Sequence, residues 1–212
     1  MNKIASFDVD PQYGFTEECP KELPVPGGLE IVGPLNEQAK LTDYRLGSKD
    51  AHSPKAEWVA TEEEPQLTAI TNKGADIDLR WNLHAVPGTR GFEYIEGLPK
   101  PAEYDFFVWK GVEPTMHPYS AVYHDLAKKR STGVIEWLQC NDVTTVIVGG
   151  LATDFCVKET VVDLCNAGFR VILNMAATRG IADETVAAAL KEIAQAGAEV
   201  VCNTDELKAV LA

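Results

Sequence analysis

Val146-Ile147-Val148-Gly149-Gly150-Leu151-Ala152-Thr153-Asp154-Phe155-Cys156-Val157 is a β-branched apolar run that breaks at two glycines. An amphipathic segment with Val161, Val162, Leu164 and Cys165 follows and closes at Gly168. That order is buried strand, tight turn, helix. Cys156 therefore falls where a helix begins. Unpaired N–H groups and the positive end of the helix dipole favour a thiolate there. The position makes Cys156 a candidate nucleophile, although it also suits a small buried hydrophobe. Its partners decide between the two.

Outward from this unit the same alternation recurs. Ile4 to Val9 is a strand ending in Asp10-Pro11-Gln12-Tyr13-Gly14-Phe15, and a helix pattern runs from about Leu29 to Lys40. Tyr44 to Ser48 predicts a second strand, closed by Asp50-Ala51-His52-Ser53-Pro54. Tyr104 to Trp109 predicts a third, running into Lys110-Gly111. Helices are expected near Gly133 to Gln139, near Asp183 to Ala196 and from Asp205. Further strands are expected at Arg170 to Asn174 and Glu199 to Cys202. Alternating strands and helices predict a three-layer α/β/α domain with a mainly parallel central sheet, in which ligands sit at the carboxyl ends of the strands. A single domain over 1–212 is expected, with an irregular excursion at about 50–100, where periodicity is weak and Pro, Gly and charged residues are frequent.

The 212 residues carry a formal net charge of −13, which argues against a nucleic-acid groove or an anionic membrane surface. A small neutral or cationic ligand fits better. The five cysteines, Cys19, Cys140, Cys156, Cys165 and Cys202, form no C-x-x-C pair, so reduced thiols are the simplest account. No signal-peptide-like or membrane-spanning apolar run occurs, and a cytoplasmic location is expected.

Asp10, Lys110 and Cys156 fall at the ends of three predicted strands, on the edge where a parallel sheet gathers its carboxyl ends. A carboxylate near a thiol can take its proton, and an ammonium beside both keeps the carboxylate ionised and lowers the thiol pKa. Asp8 competes with Asp10 for the role. A second set is Asp50-x-His52: residues two apart on an extended chain point the same way. With His84 they could grip one metal ion and leave positions open for water or substrate. A solvated loop histidine is the alternative. Trp81, three residues before His84, could stack on a flat ring or simply pack the loop. His117 and His124 lack comparable partners and are expected to be surface or satisfied core residues.

Taken together these segments resemble the isochorismatase-like cysteine hydrolases, and among them the nicotinamidases. Asp10-Pro11-Gln12-Tyr13-Gly14-Phe15 is similar to a D-x-Q-x-x-F opening, with Val25-Pro26-Gly27-Gly28 as its continuation. Asp50-Ala51-His52 resembles a D-x-H metal motif. Trp81-Asn82-Leu83-His84 with Gly88-Thr89 resembles a W-P-x-H and G-T stretch. Lys110-Gly111, Tyr119-Ser120-Ala121 and Gly150 to Val157 match the lysine, Y-S-A and nucleophile motifs. The resemblance implies an isochorismatase-like, Rossmann-like fold and a cysteine amidase that makes nicotinic acid and ammonia from nicotinamide, a reaction of pyridine-nucleotide salvage. Cys156 would attack the carbonyl, Asp10 would be the base and Lys110 the third member. A non-proline cis peptide would fall at Leu151–Ala152, and the Ala152 and Cys156 N–H groups would form the oxyanion hole. Asp50, His52 and His84 would hold a divalent ion (zinc, with iron or manganese as alternatives), with Phe15, Trp81 and Tyr119 flanking the substrate ring. Pyrazinamide, carbamoyl or ureido amides remain open as substrates, as do a non-catalytic ligand-binding scaffold and a homo-oligomeric state. Asn82 in place of proline, Ala51 in place of an aromatic and the acidic stretch 55–78 depart from the family pattern.

Overall fold

The computed structural model describes residues 3–71 and 76–212. Residues 72–75 of the expected irregular excursion lie outside that description. Six strands form one sheet: β1 Lys3–Val9, β2 Tyr44–Asp50, β3 Phe106–Lys110, β4 Val143–Leu151, β5 Arg170–Arg179 and β6 Glu199–Val201. Their spatial order is β3-β2-β1-β4-β5-β6, and every pairing is parallel. The helices are α1 Val32–Ala39, α2 Val134–Cys140, α3 Lys158–Asn166, α4 Asp183–Gln195 and α5 Thr204–Leu211. α1 packs with α5, and α3 with α4, while α2 lies on β3 and β4. Right-handed crossovers running in opposite directions from the centre of the sheet put these two helix pairs on opposite faces.

Burial on both faces explains the near-continuous apolar strands. Val146, Val148, Val171 and Leu173 join the main core, while the alternate residues Ile147 and Ile172 meet Val201 and Leu207 in a second cluster. The chain runs from β1 out to β3 and then returns to β4 on the other side of β1. The reversal falls between β1 and β4, the place where open parallel sheets leave a crevice for ligands.

Gly150 shows why glycine is needed there. It pairs with Val9 across that junction, at φ +124°, and a Cβ would sit 2.0 Å from the Val9 carbonyl oxygen. Between the sheet ends run long irregular connections with isolated bridges such as Gln12 to Tyr94 and Val59 to Trp81. Among the described residues, no helix is long and apolar enough to cross a membrane.

Candidate active site

Four neighbouring strand ends deliver four candidate site side chains. Lys110 is the last residue of β3, Asp50 the last of β2 and its register partner, Asp10 follows β1, and Cys156 lies just beyond β4. All four are buried. Lys110 Nζ stands 3.0 Å from Asp10 Oδ2, 2.5 Å from Asp50 Oδ1 and 3.6 Å from Cys156 Sγ, and donates to the Pro118 carbonyl at 3.3 Å. One oxygen each of Asp10 and Asp50 and the Cys156 sulfur all lie within 4.8 Å of one another.

Local structure fixes each group. Asp10 sits at φ +45°, a left-handed conformation that aspartate tolerates better than most residues. Its N–H donates to Ser48 Oγ at 3.2 Å, and that hydroxyl donates back to Asp10 Oδ1 at 2.7 Å. Gln12 clamps the end of β2: its amide donates to the Asp50 carbonyl at 2.9 Å and accepts from the Asp50 N–H at 2.7 Å. Cys156 lies in a π-helical turn, Thr153–Val157, that precedes α3. The Leu151–Ala152 peptide before it is cis. Asp154 in that turn accepts from the Ile181 N–H at 3.1 Å and from Thr185 Oγ at 2.5 Å, tying the turn to the start of α4.

The electrostatics follow from burial and crowding. Burial, with the Asp50 charge adding to it, pushes the Asp10 carboxyl up to about 6 against the pull of Lys110. Burial disfavours the Lys110 ammonium, but the Asp10 and Asp50 carboxylates outweigh it and hold its pKa well above the ordinary lysine range. Burial drives the Cys156 thiol well up, the two carboxylates push the same way, and Lys110 opposes them without prevailing. The thiolate expected from helix position and lysine is therefore not the resting form. The elbow seats the sulfur in a dry site beside two carboxylates rather than one, so ionisation needs a proton acceptor. Asp8, the rival carboxylate, is taken: Arg45 donates to its Oδ2 at 2.9 and 2.7 Å and Tyr104 at 2.8 Å.

A cavity of about 320 Å³, measured to its open mouth, adjoins these groups and is lined in part by Phe15, Trp81, Tyr119, Phe155, Ala152 and Cys156. The three aromatics expected from sequence all reach it, and Phe155, unassigned before, packs edge-on to Trp81 with centroids 4.9 Å apart. Trp81 Nε1 donates to Tyr119 Oη at 3.1 Å, and Tyr119 donates on to Asp78 at 2.8 Å, which fixes the tilt of both rings.

Asp50 also faces the histidines. Its Oδ2 lies 3.4 Å from His52 Nε2 and 3.8 Å from His84 Nε2. His52 Nδ1 is 3.0 Å from the Gly111 carbonyl and His84 Nδ1 is 2.7 Å from the Asn82 carbonyl. Each Nδ1–H can thus donate outward while Nε2 points inward, the arrangement that prepares an imidazole for a metal. Burial, followed by the neighbouring His52, lowers the His84 pKa and keeps the ring neutral. His52 Nε2 is buried without a hydrogen-bond partner among the described residues. Imidazoles around a carboxylate with an orphaned inward nitrogen fit a divalent ion.

His117 corrects the sequence-based expectation. It is neither at the surface nor satisfied: it is buried, and both ring nitrogens lack partners among the described residues. One nitrogen of each of His52, His84 and His117 lies within 4.8 Å of the others. The available signal was its spacing, since His117 stands two residues before Tyr119 and an extended chain turns both the same way.

An isochorismatase domain model matches residues 49–205, about three-quarters of the chain. The chain is 28% identical over 181 residues to the nicotinamidase/pyrazinamidase of Mycobacterium tuberculosis, covering 84% of this chain and 91% of that protein. The structure of an Acinetobacter baumannii nicotinamidase/pyrazinamidase superposes with a TM-score of 0.86 at 26% identity, covering 97% of this chain and 98% of that one. A Pyrococcus horikoshii pyrazinamidase, solved in complex with zinc, gives 0.74 at 27% identity, covering 94% and 98%. With the family model spanning residues 49–205, from the end of β2 to the start of α5, and the parallel sheet and cysteine elbow of the described fold, the chain belongs to the isochorismatase family.

Proposed function

We propose that this protein is a cysteine amidase that hydrolyses nicotinamide to nicotinic acid and ammonia. The observation that carries the proposal is the convergence of Asp10, Asp50 and Cys156 on Lys110 Nζ beside an aromatic-lined cavity that Asp50 and Cys156 help to line. Relatives of similar length are nicotinamidases and pyrazinamidases, which supports a flat heteroaromatic amide as substrate. Pyrazinamide presents the same amide on the same kind of ring and is expected to be a second substrate.

The chemistry follows from the resting charges. Ionised Asp10 takes the Cys156 proton as sulfur attacks the amide carbon, and Lys110 faces the growing sulfur charge. The Ala152 and Cys156 N–H groups receive the oxyanion. Collapse of the tetrahedral species returns the proton from Asp10 to the leaving nitrogen, and ammonia departs, leaving a thioester. A water gives its proton to Asp10 and attacks the thioester, and nicotinic acid leaves as sulfur recovers the proton. Phe15, Trp81 and Tyr119 hold the ring throughout, with Phe155 closing the wall. Asp50, His52 and His84 are the residues that would hold a divalent ion, with zinc preferred and iron or manganese as alternatives. Such an ion would supply Lewis acidity and an anchor for a ring nitrogen.

Ammonia release from nicotinamide tests the activity. Cys156→Ala should fold and lose turnover by roughly 10⁴–10⁶-fold, the scale for removing a hydrolase nucleophile. Acid-quenched wild-type enzyme should carry a nicotinoyl group on the peptide containing Cys156. Appreciable turnover by Cys156→Ala would remove the nucleophile assignment. Silence of wild-type enzyme toward a panel of small amides, with metal supplied, would favour a binding scaffold.

A further inference from the structure

We propose that His117 is a third imidazole ligand of the metal pocket, so that the donor set is three histidines and one carboxylate rather than the Asp50, His52 and His84 set expected from sequence. The inference rests on reading that pocket as a metal site and extends it to a residue from a different connection, the one that follows β3.

Three independent observations carry it. First, ring nitrogens of His52, His84 and His117 lie within 4.8 Å of each other, and all three rings are buried. Second, His117 is the histidine with nothing to do otherwise. Both of its nitrogens and the inward Nε2 of His52 are buried with no hydrogen-bond partner among the described residues. A buried polar atom left unpaired costs about 1–3 kcal/mol, and an unpaired His117 nitrogen beside the unpaired His52 Nε2 in one pocket calls for a shared partner. Ring nitrogens gather there beside the Asp50 carboxylate, and a cation can take lone pairs from all of them. Third, the rings are held in place. His117 stacks on His52 with centroids 5.1 Å apart and planes 20° apart, and it meets Trp58 edge-on at 4.5 Å. Three imidazoles suit zinc or iron better than the harder magnesium or calcium.

The test uses the full chain loaded with zinc. X-ray absorption at the zinc edge should count three imidazoles per metal in the unmodified protein and two in His117→Phe, which keeps an aromatic ring against His52 and Trp58. Competition with a chromophoric chelator should show His117→Phe binding zinc at least 10–100-fold more weakly, the loss that removal of a mere outer-shell partner produces. His117→Phe should still unfold cooperatively in a thermal melt. Two imidazoles in the unmodified protein, or unchanged zinc affinity in folded His117→Phe, would overturn the assignment and leave the Asp50, His52 and His84 site standing. Failure of the unmodified protein to bind zinc, iron or manganese would bring down the metal reading itself and His117 with it. The spectrum of the unmodified protein decides the matter even if the variant does not fold.

Discussion

Replacing Lys110 with methionine keeps an unbranched side chain and deletes the charge on which the candidate site is centred. Lys110 Nζ lies 3.0 Å from Asp10 and 2.5 Å from Asp50, with all three side chains buried. Unit charges 3 Å apart attract by roughly 5 kcal/mol at an effective dielectric constant of ~20, which corresponds to about four pKa units. Asp10 already titrates at about 6 with the ammonium in place. Without it two carboxylates face each other, and one must hold a proton. Asp50 is held well below the ordinary carboxylate range and Asp10 already stands above it, so Asp10 is the one that protonates. A shift of about two units, if rearrangement recovers half of the lost attraction, cuts the ionised fraction at pH 7 roughly tenfold; the full four cut it roughly 1,000-fold. The assay is ammonia release against pH. Wild-type kcat/KM should fall as pH drops through about 6, because the base must be ionised to work. In Lys110→Met the acid limb should move to about 8 or above. Loss of a buried partner costs about 3–5 kcal/mol, so Tm should fall by roughly 6–20 °C. A folded Lys110→Met enzyme whose acid limb stays near 6, with kcat/KM at pH 7 within a factor of ~3 of wild type, would refute the reasoning.

The two aspartates of β1 and its end separate cleanly. Asp10→Asn should abolish the acid limb along with most activity. Asp8→Asn should leave the limb near 6 and only lower Tm, because Asp8 answers to Arg45 and Tyr104; a pH profile altered by Asp8→Asn and not by Asp10→Asn would reverse the assignment. Gln12→Ala strips both backbone bonds from the end of β2. Each unsatisfied group costs about 1–3 kcal/mol, so Tm should drop and bound metal should weaken; unchanged values for both would mean that the clamp does not position Asp50. Gly111→Ala places a Cβ 2.3 Å from His52 Cε1 at φ +71°, so His52 must move. Metal content measured after dialysis should fall, and full retention would show that the ring is not confined there.

The strands were legible because parallel strands buried on both faces write themselves as Val and Ile runs, although β4 runs on through the two glycines after Val148 to Leu151. The D-x-H pair was legible for a similar reason: alternation on an extended chain is a local property. Strand order is not local. Nothing in the runs themselves says that β1 lies between β2 and β4, yet that order is what brings Asp10 beside both Asp50 and Cys156. Boundaries were blurred where packing overrides pattern. β5 continues past Asn174 to Arg179 through Met175-Ala176-Ala177, which carries no strand signature. Gly149 explains it, since a Cβ there would meet Ala177 at 2.8 Å, so the two strands approach closely only because both residues are small. β2 likewise runs past Ser48 to Asp50 because the Gln12 side chain, distant in sequence, pairs with its backbone. His117 stayed hidden because its spacing from Tyr119 is a weak signal in an aperiodic connection, and its surroundings come from rings delivered by other segments.

The strand order also explains why the central cation is a lysine. Lys110 ends β3 and Cys156 follows β4, with β2 and β1 between them. Neighbouring strands are about 4.8 Å apart, so those two strand ends are separated by roughly 14 Å. The gap closes from both sides: the turn Thr153–Val157 carries the cysteine, and the four-carbon stem of lysine reaches toward it over the ends of β2 and β1, until nitrogen and sulfur are 3.6 Å apart. The ammonium has three donors and meets four acceptors: Asp50, Asp10, the Pro118 carbonyl and the sulfur, at 2.5, 3.0, 3.3 and 3.6 Å. These surround a point, which suits rotatable donors on a compact head better than the fixed planar fork of arginine. While Asp10 is ionised the three oxygens are the nearer claimants, and the sulfur remains a thiol. In the proposed mechanism, when Asp10 takes the thiol proton its hold on the ammonium weakens at the moment the sulfur becomes an anion, and the donor it releases already faces that anion. Proton transfer and stabilisation of its product are therefore one event, and they need a charge that can turn between two neighbours without moving its stem.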